Sequence, residues 1–210
     1  MTAPSLEVIR RRLAAARPAR DARSRVLANV DGPVSLELER MLAQPGRAAS
    51  VLLPLIERPA GLTLLFTERA AHLKDHAGQI SFPGGRLASQ GETAVAAALR
   101  EASEEVGLPP AQVAVLGSLD EHLTGTGFSI IPVVGYVAGG AFLAVPDSRE
   151  VASVFEVPLN FVCDPGNVQP RHVERFGTRF RTFELYYGGH RIWGATAAIL
   201  MSFRELISHE

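Results

Sequence analysis

The chain has 210 residues, 47% of them hydrophobic, and a formal net charge of −1 at pH 7. That length suits one α/β domain with a decorated end, and the apolar content excludes a disordered chain. The balanced charge gives no basis for a nucleic-acid or membrane-surface partner. The single cysteine, Cys163, excludes an intramolecular disulfide and suits a reducing cytoplasm, which is the expected location.

Leu6 to Ala16 and Ser35 to Ala43 carry the period of short amphipathic helices. Arg10, Arg11, Arg12, Arg17, Arg20, Arg23 and Arg25 make the first stretch basic. Glu7, Asp21 and the scarcity of hydroxyls set it apart from a transit peptide, so it reads as a basic helix on the domain surface. Residues 1–46 are therefore expected to form a helical extension packed on a domain of residues 47–210. The period then changes. Ala49 to Ile56 and Leu62 to Thr67 read as strands joined across Pro59-Ala60-Gly61, and a loop from Ala70 to Gln79 leads into Phe82-Pro83-Gly84-Gly85.

Ala94 to Glu105 reads as a helix, with Thr93 as N-cap, Gly107 just past its end and Pro109 blocking continuation. Val95, Leu99, Ala102 and Val106 form its expected buried stripe. Val113 to Leu119 is a further strand. No charged residue occurs from Ser129 to Val145, but the stretch falls short of the about 18 apolar residues of a membrane span. Pro132, Gly135, Gly139 and Gly140 also break it, so it is expected to form strands at Ile130 to Val137 and Ala141 to Val145 around a Gly-Gly turn. Glu150 to Val162 ends in a short helix, Arg179 to Trp193 is a hairpin turning at Gly188-Gly189, and Ala195 to Ile207 is a final helix. A mixed sheet flanked by helices buries these stripes.

Helical spacing makes Glu101 and Glu105 neighbours, with Glu104 beside them, on a face expected to lie opposite the apolar stripe. Like charges so placed destabilise a helix by about 0.2–0.5 kcal/mol per pair, and a bound hard cation reverses that penalty. Taken alone, Glu-Ala-Ser-Glu-Glu reads first as a solvated helix face, the usual state of a charge run on a helix. Gly84-Gly85, with exposed carbonyls ahead of the helix, and Arg100, able to grip a carboxylate with two bonds, favour a metal site.

Here the sequence resembles the Nudix family. The family signature is Gly, five residues, Glu, seven residues, then Arg-Glu-aliphatic-x-Glu-Glu-x-Gly-aliphatic. This chain has Glu92, seven residues, then Arg100-Glu101-Ala102-Ser103-Glu104-Glu105-Val106-Gly107-Leu108. It departs from the pattern in having six residues between Gly85 and Glu92 and a small Ala102 at the aliphatic position. The resemblance implies a Nudix-like α/β/α sandwich and metal-dependent hydrolysis of a diphosphate. It makes Glu101 and Glu105 the principal ligands of Mg2+ or Mn2+, and Glu104 a further ligand or water-orienting group. Gly85 would lend its carbonyl, while Glu92, Arg100 and Gly107 would hold the helix in place.

A second segment, Leu65-Phe66-Thr67-Glu68-Arg69-Ala70, then Lys74, Gly78 and Phe82-Pro83-Gly84-Gly85, resembles the coenzyme A diphosphatase subfamily. Thr124 to Phe128, Pro132 to Gly135 and Trp193 to Ala197 are similar to it as well. The implied substrate is coenzyme A or a derivative, with Arg69, Lys74 and His76 as candidate cations for its phosphates. Ordinary surface pairs in that loop are the plain alternative. Lys74 is the chain's one lysine among many arginines. His72 and His76 stand four apart in a loop without a cysteine or another histidine close by, which does not make a zinc site. The family also implies a carboxylate outside the signature acting as base or extra ligand; Glu150 is the first candidate and Glu121 the second, against simple surface charge for either. Alternatives are another nucleoside diphosphate derivative such as ADP-ribose, or a catalytically silent binding module of this fold. The expected partner is a small-molecule substrate, with no nucleic acid, no membrane, and a homodimer as a further option.

Overall fold

In a computed structural model the chain is described over residues 3–16, 21–73, 76–89, 91–139 and 142–208. Three short helices come first: α1 (Leu6–Ala15), α2 (Ala22–Ala28) and α3 (Leu36–Ala43). Each begins where a side-chain oxygen takes an orphan backbone N–H, from Ser5, Asp21 and Ser35 respectively. Strands β1 (Arg47–Arg58) and β2 (Gly61–Arg69) follow, then the short β3 (Ile80–Ser81) and β4 (Gly84–Arg86). Helix α4 (Ala94–Val106) leads to β5 (Val113–Ser118), β6 (His122–Leu123), β7 (Phe128–Val137) and β8 (Val151–Pro158). The chain ends with α5 (Leu159–Cys163), β9 (Gln169–Arg175), β10 (Thr178–Tyr187), β11 (His190–Ile192) and α6 (Gly194–Ser208).

β1 is the axis of the molecule. It runs parallel to β7 and antiparallel to β2, and its start also pairs with β4. Leu52, Leu53, Leu55 and Ile56 are all fully buried, an unbroken apolar run that requires cover on both faces of the sheet. Leu53 and Leu55 pack with Ile9 and Leu13 of α1 and with Leu200 and Phe203 of α6. Leu52 and Ile56 pack with Ala98, Ala102 and Val106 of α4. The result is the expected layering of helix, mixed sheet and helix.

The C-terminal hairpin turns at Gly188 and Gly189, both with positive φ (57° and 86°), the geometry a two-residue turn demands. Two elements had no legible period. α2 is too short to show one, and every residue of β9 is exposed, so no alternation marks it. One expected strand does not form. Residues 142–147 are irregular, and Val145 donates its N–H to the carbonyl of Val106 (3.0 Å) at the end of α4. A segment whose hydrogen bonds go to a helix end has none left for a ladder. Gly140 and Ala141, also part of that expectation, lie outside the described residues. Among the described residues no helix is long and apolar enough to cross a membrane.

The basic N-terminal stretch is tied down as well as packed. Arg25 pairs with Asp120 and donates to Ser202 Oγ of α6 (3.1 Å), while Arg12 reaches the carbonyl of Leu206 (3.4 Å). Arg17 and Arg20 lie outside the described residues.

Candidate active site

Helix α4 has the expected ends. Thr93 Oγ1 accepts from the N–H of Ala96 (3.1 Å), and Gly107 closes the helix in the left-handed region at φ 67°. Its buried face differs from the expected stripe. Ala97, Ala98, Ala102 and Val106 are fully buried, whereas Val95 and Leu99 are half-buried. The small alanines let α4 lie close against the sheet, and this brings Glu105 under β4 instead of turning it to solvent. Glu105 is only 5% exposed.

Strand β4 is what makes this possible. Gly84 and Gly85 pair with Val51 and Ser50, and the N–H of Gly84 donates to Glu105 Oε2 (3.2 Å). Gly85 faces Glu101, where an added Cβ would stand 2.4 Å from Oε1. Burial pushes the Glu105 carboxyl up to about 8. The Gly84 N–H and the Arg69 guanidinium act against that shift, and the Glu101 and Glu150 charges add to it. The sequence-predicted residues Glu101, Glu105, Arg69 and Glu150 are thus one electrostatic neighbourhood. Gly84, a backbone donor to Glu105, carries a role that its place beside Gly85 in the sequence did not specify.

Arg100 organises the outer side of the cluster. Its Nε and one terminal nitrogen bind the two oxygens of Glu92 (2.9 and 3.3 Å), and the same nitrogen reaches the carbonyl of Arg86 (3.1 Å). Its other terminal nitrogen binds Glu101 (2.8 Å) and Glu104 (3.2 Å). Glu92 in turn accepts from the N–H of Ala88 (2.5 Å), closing the loop between β4 and α4. Glu104 is well exposed, at 61% of its side chain, and touches only the rim of the cluster.

The upstream loop is stitched to the same place. Arg69 ends β2 at a bulge, and its buried Nε has no hydrogen-bond partner among the described residues. The N–H of Ala70 donates to the carbonyl of Glu150 (2.9 Å), and His72 Nε2 pairs with the carbonyl of Arg149 (3.1 Å). Glu150 closes a tight turn whose first residue, Asp147, donates its N–H to the carbonyl of Glu105 (2.9 Å). This link was not foreseen; the turn chemistry of Pro146-Asp147-Ser148 was the available signal. His76 stands apart, exposed, with Nδ1 on Gln79 Oε1 (2.9 Å). Glu121 accepts a hydrogen bond from Ser129 Oγ. Lys74 lies outside the described residues.

Among the described residues, no three acidic or imidazole side chains already converge at metal-ligand spacing, because Arg100 holds Glu101 and Glu104 while Gly84 holds Glu105. The donor chemistry fits a hard divalent cation nonetheless. Glu101 and Glu105 stand one helical turn apart beside the carbonyl-bearing Gly85, and a cation beside the buried Glu105 carboxyl would favour the ionised form that burial disfavours.

A model of the Nudix domain matches residues 46–176. The chain belongs to the Nudix family. It is 43% identical over 160 residues to the uncharacterized Nudix hydrolase NudL of Salmonella paratyphi B, covering 76% of this chain and 81% of that protein. NudL of Salmonella newport matches equally. Among solved structures, the Nudix hydrolase RenU of M. smegmatis is 29% identical, with a TM-score of 0.47 over 57% of this chain and 78% of that one. A C. elegans Ap4A hydrolase binary complex is 17% identical, with a TM-score of 0.46 over 53% and 80% of the two chains. The chain is accordingly a Nudix hydrolase, of a family that cleaves pyrophosphate bonds in small nucleoside diphosphate derivatives and generally requires divalent metal ions.

Proposed function

We propose that this Nudix hydrolase splits the diphosphate of coenzyme A or a derivative, yielding 3′-phosphoadenosine 5′-phosphate and 4′-phosphopantetheine, in the cytoplasm. The observation that carries this reading is the junction of the two motifs. The segment resembling the coenzyme A diphosphatases brings the Arg69 charge within electrostatic range of Glu105, ties Ala70 to Glu150, and supplies the Gly84 and Gly85 of the wall. Glu101 and Glu105 would hold Mg2+ or Mn2+, with Glu104 at the rim and the Gly85 carbonyl in reserve. Such an ion neutralises the diphosphate and acidifies a bound water. Arg100 keeps Glu101 in place through its fork to Glu92. Arg69 offers charge to a substrate phosphate from inside the cluster, and Lys74 and His76 offer it from the loop.

Glu150 accepts the proton of the attacking water on its carboxylate. Glu150→Gln is expected to lower kcat about a hundredfold while leaving KM within a few-fold, and to flatten the acid limb of the pH–rate profile. An unchanged kcat, with Glu121→Gln crippled instead, transfers the role to Glu121.

Substrate choice is tested with kcat/KM for coenzyme A and for its 3′-dephospho form. Coenzyme A is expected to be preferred, and Lys74→Met to lose roughly ten- to hundredfold on coenzyme A alone, the worth of a charge-assisted hydrogen bond of about 1.5–3 kcal/mol. Preference for ADP-ribose over both would replace this reading with the nearest alternative.

A further inference from the structure

A surface cleft of about 420 Å3 opens between the limb that follows β7 and strand β8. One wall is the irregular limb carrying Leu143, Ala144 and Pro146, and the other is Val154, Phe155 and Glu156 of the edge strand β8. The two limbs leave the same tight turn. Glu150 and Val151 both donate their N–H groups to the carbonyl of Asp147 (2.9 and 2.8 Å), and Asp147 is bonded to the carbonyl of Glu105. Both walls of the cleft are therefore anchored, through this turn, to the backbone of Glu105 and Glu150.

Its lining is unusual for a surface this close to so many charges. Leu143 is 79% exposed, and two residues on, outside the lining, Val145 ties the limb to α4 by its bond to the carbonyl of Val106. Exposed apolar side chains on a pinned segment lose little entropy on covering and gain from it. At the far end Arg58 binds both oxygens of Glu156 (2.5 and 3.0 Å) and the carbonyl of Phe142 (3.0 Å), so the floor is polar and neutral overall. A volume of this size is typical of a small-molecule site, and mostly apolar walls with a few fixed polar groups select an uncharged chain.

We propose that this cleft takes the non-nucleotide half of the substrate, an uncharged, amide-bearing arm attached to the second phosphate. The inference rests on the reading that the diphosphate cleaved is that of coenzyme A. Cationic groups then meet the nucleotide phosphates on the Arg69 side, and the arm runs between the two limbs toward Arg58 and Glu156. Leu143 and Ala144 become determinants of specificity that touch the arm and not the reacting phosphorus.

The test compares coenzyme A with the P2-methyl ester of 3′-phosphoadenosine 5′-diphosphate, which keeps the diphosphate and lacks the arm. Leu143→Asn keeps the size and adds no charge, and Ala144→Phe fills the cleft. Each variant is expected to lose roughly tenfold in kcat/KM on coenzyme A and to stay within about twofold on the methyl ester, which also reports that the fold and the catalytic cluster are intact. Equal losses on both substrates, or no loss on either, overturn the inference. If the unsubstituted enzyme cleaves the methyl ester and leaves coenzyme A untouched, the reading of the substrate falls, and the assignment of the arm with it.

Discussion

Glu105→Gln should lower kcat by on the order of a thousandfold with the fold intact, because it removes a metal-binding charge worth several kcal/mol while preserving shape. Burial above all, with the Glu101 and Glu150 charges adding to it, disfavours the ionised Glu105 carboxylate, so a neutral amide relieves that cost in the metal-free protein. Two measurements separate this from general damage. The unsubstituted protein should gain thermal stability when Mg2+ or Mn2+ is added and lose activity on chelation, since a ligand that binds only the folded state stabilises it. The variant should melt at or above the temperature of the metal-free parent and gain much less from either ion. Near-normal turnover by the folded variant at subsaturating metal would remove Glu105 from the ligand set.

The adjacent glycines should fail in opposite ways. At Gly85 the nearest neighbours of an added methyl group are the carboxylate atoms at the end of the Glu101 side chain, 2.4–2.7 Å away. Gly85→Ala is therefore expected to fold, displace that carboxylate by about 1 Å, and lose roughly a hundredfold in kcat, the usual cost of misplacing a catalytic group by that distance. At Gly84 the methyl group meets backbone: the carbonyl of Ser50 at 2.4 Å and Cα of Val51 at 2.6 Å. Backbone in the middle of the sheet has nowhere to go, so Gly84→Ala should cost about 3 kcal/mol of stability. Urea unfolding and steady-state kinetics on both variants check the contrast. A Gly85→Ala enzyme with full activity would show that Glu101 needs no fixed position.

Local chemistry made much of this molecule legible in advance. The ends of α4 follow from Thr93 and Gly107, the hairpin from Gly188-Gly189, and the central strands from their apolar runs, because each depends on residues adjacent in the chain. The acidic helix and its Nudix-like spacing were readable for the same reason. The tertiary structure decided everything that depends on how far one element stands from another. Spacing on a helical wheel placed Glu105 on the solvent side; close packing of Ala98 and Ala102 against the sheet put it beneath β4. The apolar run at 142–145 looked like a strand, but the Val145 N–H goes to α4 and the Phe142 carbonyl to Arg58, leaving Leu143 and Val145 in the open beside a cleft. Arg69, Glu105 and Glu150 are far apart in sequence, and only the meeting of β2, α4 and the turn before β8 makes them neighbours. Local propensity is set by near neighbours in the chain, whereas burial, field and the shape of a site are set by what folds against them.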